Sequence, residues 1–183
     1  MRKILDSLYS ISAGLAAISL VSIAVIVFGQ VVFNTIDYVA LHLFDQSFGL
    51  LIPSYSLFSG YALGFATFLS LGLGLRKAVH IRVTLVESRM SAPIRRGSLT
   101  LIALVGVGMG VLFTYSLGVL AYESFLWGDR ASGLVKVPLW IPQSVLCVGA
   151  AVFLVAALDT LVEILRTGRS EALVIESVAE EAL

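Results

Sequence analysis

The chain has 183 residues, of which 58% are hydrophobic and only 13% charged, with a mean hydropathy of +0.99. A soluble domain carries about 25% charged residues, so this composition excludes a soluble globular enzyme, a disordered chain and a nucleic-acid binder with a basic face. Lys plus Arg equal Asp plus Glu at 12 each, so the net charge of zero names no partner. The information lies in where the charges sit.

Residues 7–36, 46–75, 97–122 and 137–158 contain no Asp, Glu, Lys or Arg. Crossing a hydrocarbon core of about 30 Å takes about 20 helical residues, so each stretch holds one span and none holds two. Lipid offers no partner to a free backbone N–H or C=O, which makes helix the default. The stretches are apolar all round, unlike the alternating strands of a membrane barrel. The expected fold is all-α and integral to the membrane. Its four transmembrane helices cover roughly Tyr9–Phe33, Ser54–Leu75, Leu99–Tyr122 and Leu139–Leu158.

Span 1 follows Arg2 and Lys3, which resemble the start of a signal peptide. Its apolar run goes on to about Phe33, beyond the roughly 7–15 residues of a signal h-region, so it reads as a retained span. Near its far end Gln30 and Asn34, four apart, share one helix face. Two amides at that depth either bond to a neighbouring helix or face interfacial water. Span 2 carries Ser56, Gly60 and Gly64 at four-residue spacing, followed by Gly72 and Gly74. Small residues so spaced let helix backbones approach closely, within the chain or against another subunit. They also occur in membrane helices with no such role.

Between spans 2 and 3, residues 78–90 place Val79, Val83, Val86 and Met90 on one helical stripe. His80, Thr84 and Glu87 flank one side of it and Arg82 and Arg89 the other. This pattern predicts an amphipathic helix lying on the inner leaflet. Alternation at Val79, Ile81, Val83 and Leu85 would also suit a strand, but an unpaired strand at a membrane surface leaves its backbone unsatisfied. Pro93 is expected to end this helix, with Ile94–Gly97 leading into span 3. Span 3 contains Gly106, Gly108 and Gly110. In span 4 the single cysteine, Cys147, cannot form an internal disulfide and reads as a small buried hydrophobe.

Ten of the twelve basic residues fall in the N-terminus, the segment from Arg76 to Arg96, and the tail. By the positive-inside rule both termini and the middle loop are cytoplasmic. Tyr38, Tyr122, Trp127 and Trp140 then gather near the outer interface. Asp159 and Glu163, one turn apart beyond span 4, are placed to face Arg76 or Arg95. As solvated charges such pairs contribute about 0–1 kcal/mol. Residues 1–170 are expected to form one four-helix transmembrane domain, and 171–183 an acidic tail that frays.

The span interiors hold no ionisable residue, the default marker of a proton relay or ion path. His42 falls in an outer loop and His80 in the basic segment, so no intramembrane pair ligates haem. No metal-ligand cluster, nucleophile elbow or phosphate loop is present. No enzymatic role, cofactor, metal or nucleic-acid partner is expected.

Directly after span 2 comes Leu75-Arg76-Lys77-Ala78-Val79-His80-Ile81-Arg82-Val83. It resembles the Arg…His-Ile-Arg-Val signature of the small membrane subunit of tripartite ATP-independent periplasmic (TRAP) transporters, the DctQ-like proteins. Gln30-Val31-Val32-Phe33 is similar to that family's Gln-Val-Val segment. Pro138-Leu139-Trp140, with Ser132-Gly133-Leu134 before it, is similar to the Pro-x-Trp start of its last span. The resemblance covers about Leu8 to Leu165. This chain departs from the family in having Thr84 where an acidic residue often follows the His-Ile core. It also has Pro53-Ser54-Tyr55-Ser56 at the start of span 2, where acidic residues are common. The resemblance implies a non-catalytic small permease subunit in a bacterial inner membrane. Its implied partners are a large sodium-driven elevator subunit, whose scaffold it braces, a periplasmic binding protein that delivers an organic acid, and membrane lipids. Candidate partner or lipid contacts are Gln30, Asn34, Arg76, His80, Arg82, Gly60, Gly64, Pro138 and Trp140. An autonomous oligomeric four-helix transporter or channel is the alternative, and an electron-transfer anchor a more distant one.

Overall fold

The computed structural model describes residues 2–46, 48–77 and 92–167. They form four helices: α1 (Arg2–Phe44), α2 (Tyr55–Arg76), α3 (Ala92–Trp127) and α4 (Trp140–Thr167). Each is long and apolar enough to cross a membrane. Among the described residues the extended pairing is limited to one bridge, Arg130 with Pro138. The inner-leaflet helix expected over 78–90, with His80 and Arg82, lies outside the described residues, as does the tail 171–183.

The charge-free stretches locate the spans but not the helix ends. α1 does not stop near Phe33 but continues to Phe44, carrying Asp37 within it. No proline or left-handed residue intervenes before Asp45, whose φ of 53° turns the chain. Tyr38, expected at the outer interface, stacks on His42 inside this extension. At the other end of the molecule α3 begins at Ala92. Pro93 and Ile94–Gly97 therefore form its first turns, so that Ile94–Gly97 leads into span 3 as helix. The first turn is where proline's missing N–H costs nothing.

The helices pack in the order α1, α2, α4, α3. Close approach at glycine sets the spacing of this row. A Cβ on Gly149 of α4 would stand 2.7 Å from the Phe68 carbonyl carbon of α2, and one on Gly72 would stand 2.7 Å from Val152 Cγ1. Gly110 of α3 faces the Leu154 backbone at 3.0 Å in the same sense. The buried core is correspondingly small-chained, with Ala62 and Ala66 on α2 and Ala150, Ala156 and Ala157 on α4. Large apolar residues mostly point outward, as expected of a protein solvated by lipid, where van der Waals fit replaces hydrophobic expulsion.

Replacing Gly149 by Val forces α2 and α4 apart, at a cost of about 1–3 kcal/mol for overpacking. Gly74→Ala meets open space and removes a helix-interior glycine, which favours it by about 1 kcal/mol. Thermal unfolding in mild detergent will show the first lowered and the second unchanged or raised.

Candidate functional site

Polar side chains inside the row gather at its two ends. At one end, Arg76 closes α2, and a cation is favoured there by the carbonyl-rich helix terminus. Its Nη1 lies 2.9 Å from Glu163 Oε2 and 3.3 Å from Asp159 Oδ2, both on α4. The two carboxylates share a face because they are four residues apart. Arg76 and Glu163 are 11% and 9% exposed, so this is a desolvated pair and not two surface charges. Of the two partners expected for these acids, Arg76 thus takes both; the Arg95 side chain lies outside the described ones.

α1 meets the same junction. Tyr9 is buried against Val152 and Ala156 of α4 and against Leu73 and Leu75 of α2. One turn further along, Ser12 Oγ donates to the Leu69 carbonyl at 2.6 Å, tying α1 to α2 inside the bundle. Neither Tyr9 nor Ser12 stands out in the sequence, since one aromatic and one hydroxyl in an apolar helix carry no spacing signal.

At the opposite end the contacts are uncharged or use a carboxylate against backbone. Gln30 is buried; its Oε1 accepts from the Ile52 N–H at 2.9 Å and its Nε2 donates to Asn34 Oδ1 at 2.9 Å. Of the two alternatives for Gln30, the structure thus supplies a partner within the chain, a loop backbone group. Asn34 itself is exposed. Asp37, the next residue on that face, accepts from the Phe48 and Gly49 N–H groups at 2.6 and 3.0 Å. Gly49 adopts φ +62°, where a side chain would strain the turn. The α1–α2 loop is therefore laced onto α1.

The α3–α4 connection is equally fixed. Ala131 N–H donates to the Val137 carbonyl, Leu139 N–H to Asp129, and Val135 N–H to Ser54 Oγ at the start of α2. Pro138 sits in the bridge with Arg130, and Trp140 packs edge-on against Phe125 with centroids 5.8 Å apart. With its amide oriented to satisfy both ends, Gln143 spans Ser124 Oγ and the Leu120 and Leu139 carbonyls. Gln143 and Ser124 were not among the residues singled out from the sequence, because a loop separates them. Gly64 packs against Leu146, whereas Gly60 faces open space.

Together these contacts immobilise a four-helix row at both ends. They assemble no nucleophile with a base among the described residues. Arg76→Ala takes the guanidinium away from Glu163 and Asp159, and breaking a buried pair by removing one partner costs about 3–5 kcal/mol. Expression and melting temperature will fall accordingly, and the exchange Arg76→Glu with Glu163→Arg will recover part of the loss. Tyr9→Phe removes a hydroxyl that has no hydrogen-bond partner and will leave the melting temperature unchanged or raised.

Over residues 23–167 the chain matches the family model described as "Tripartite ATP-independent periplasmic transporters, DctQ component". No curated protein matches it.

Proposed function

The chain belongs to the DctQ family, the small component of tripartite ATP-independent periplasmic transporters, and from that membership we propose that it is the non-catalytic subunit that braces the large membrane subunit. In this reading the large subunit moves an organic acid by an elevator motion driven by sodium. A periplasmic binding protein delivers the substrate, and the present chain supplies a fixed footing in a bacterial inner membrane. The Arg76 end is cytoplasmic and the Gln30 end periplasmic.

The observation that carries the reading is the use made of polarity inside the row. Arg76 pairs with both Asp159 and Glu163 across α2 and α4. Gln30, Asn34 and Asp37 are engaged by their own neighbours and the α1–α2 loop. Carriers place ionisable groups along a substrate or ion path, whereas here the charges close on each other and hold helices together. A domain that translates through a bilayer needs a stationary partner, and a row tied at both ends meets that need.

Co-expression with its large subunit and purification through a tag on either chain tests this. A stable stoichiometric complex is expected, with uptake in proteoliposomes abolished when this chain is left out. Failure to co-purify in mild detergent, or uptake indifferent to its deletion, sinks the proposal. Flux through the reconstituted chain alone does so too.

A further inference from the structure

The Arg76 junction leaves one of its two carboxylates short of a hydrogen bond. Arg76 Nη1 meets both, at 2.9 Å from Glu163 Oε2 and 3.3 Å from Asp159 Oδ2. The first contact is a hydrogen bond. The second is an ion pair alone, and Asp159 Oδ2, although buried, accepts no hydrogen bond. The hydroxyl of Tyr9 is buried in the same condition. Tyr9 is 1% exposed and packs on Leu73 and Leu75 of α2 and on Val152 and Ala156 of α4, the residues that lead up to Arg76 and Asp159. The charged groups that act on its hydroxyl are Asp159, Arg76 and Asp6. Buried polar atoms are as a rule hydrogen-bonded, so two unmade bonds in one junction mark a place for a group that the described residues do not supply.

The junction is open on one side. The Asp159 side chain is 26% exposed, against 11% for Arg76 and 9% for Glu163, so an entering group meets Asp159 first. Ala156 and Asp159 sit on the side of α4 that Tyr9 covers. Ile164, which packs with Leu99 and Ala103 of α3, lies about 140° further round α4. The opening therefore looks out past α1 and away from α3. Asp6, exposed and one turn before Tyr9 on α1, adds a second carboxylate to its rim. Asp159 bounds the charge-free stretch of α4 and Arg76 that of α2, which puts the opening at the edge of the hydrocarbon.

An acidic opening with an unmade acceptor at its base takes a cationic hydrogen-bond donor. A metal ion needs several protein ligands, and the described residues gather no group of three His, Cys, Asp or Glu side chains to hold one. The ammonium of a lipid headgroup brings a phosphate with it, which Asp6 and Asp159 repel. A lysine or arginine side chain brings no anion, and at this depth it comes from another membrane-embedded chain. Pairing with Asp159 offsets the cost of that cation's own place at the hydrocarbon edge.

We propose that the opening bounded by Asp6, Tyr9 and Asp159 receives a lysine or arginine side chain of the large membrane subunit, which completes the bonding of Asp159. This rests on the bracing role proposed above. The test uses the co-expressed complex. Asp159→Asn keeps the bond between Arg76 and Glu163 and will lower the co-purified large subunit about tenfold, the loss of one charge-assisted hydrogen bond. Tyr9→Phe will lower it by a smaller factor, although the melting temperature of the chain alone does not fall. Glu163→Gln will destabilise the chain alone more than Asp159→Asn does. A photoactivatable crosslinker at Ser10→Cys, an exposed position beside Tyr9, in a Cys147→Ala background and in native membranes, will form adducts with the large subunit.

If the wild-type chain fails to co-purify, the bracing role falls and takes this pairing with it. If it co-purifies and Asp159→Asn co-purifies equally well, the pairing alone is wrong. Adducts from Ser10→Cys with phospholipid or with a second copy of this chain, in place of the large subunit, overturn it. An Asp159→Asn chain that melts as low as Glu163→Gln overturns it too, because the residue is then structural. So does a rise in the melting temperature of the chain alone in sodium chloride over choline chloride that Asp159→Asn removes, since the occupant is then a metal ion.

Discussion

The contact between Arg76 and the two carboxylates of α4 sets the depth and register of the remaining structure. Glu163 lies in the last turns of α4, where the carbonyl-rich end of a helix disfavours an anion. Arg76 ends an apolar helix, where a guanidinium left in lipid is costly. Each group is unfavourable alone, and each is offset by the other at 2.9 Å. Because the side chains are short of solvent, the pair tolerates little sliding of α2 against α4. That constraint brings Gly149 level with Phe68 and Gly72 level with Val152, the two places where the backbones come closest. Tyr9 then closes the junction from α1, so one ion pair orders three of the four helices.

The far end of the row is built on a different principle. Its contacts run from side-chain oxygens to loop N–H groups, as between Gln30 and Ile52 or Ser54 and Val135. Such bonds specify the path of a loop rather than the sliding of a helix, and a buried N–H left unmade costs about 1–3 kcal/mol. The two loops meet at Ser54, which takes φ 58° to start α2 and accepts from Val135. Gly133 fits against it with space for no larger residue without adjustment. Charge therefore fixes the helices at one end, and hydrogen bonding fixes the connections at the other.

The four spans were legible because charge is excluded from hydrocarbon whatever the fold. Helix ends were not, since a charge marks where lipid stops and says nothing of where hydrogen bonding stops. Asp37 is the instructive residue: it bounds the first charge-free stretch yet sits inside α1, where its carboxylate serves the loop. The pairing of Asp159 and Glu163 with Arg76 was one of two visible options, because helix spacing puts both acids on one face. Their burial was not visible, as it depends on how α2 and α4 pack. Glycine spacing also reached only part way. Gly60 and Gly64 are equivalent in the sequence, but only Gly64 has a neighbour, while Gly149, which belongs to no regular small-residue pattern, makes the closest approach to a neighbouring backbone.

The order of packing bears on how such a chain serves a partner. A closed bundle would present similar flanks all round, whereas a row with α1 and α3 at its ends has two distinct edges. The α3 edge ends in exposed Tyr122 and Trp127. The α1 edge is held to α2 by Ser12, to the loop before α2 by Gln30, and to α2 and α4 by the junction at Tyr9. Load on either edge of the row passes through α2 and α4 by way of contacts that are either ionic and desolvated or at backbone distance, the two kinds that yield least to displacement.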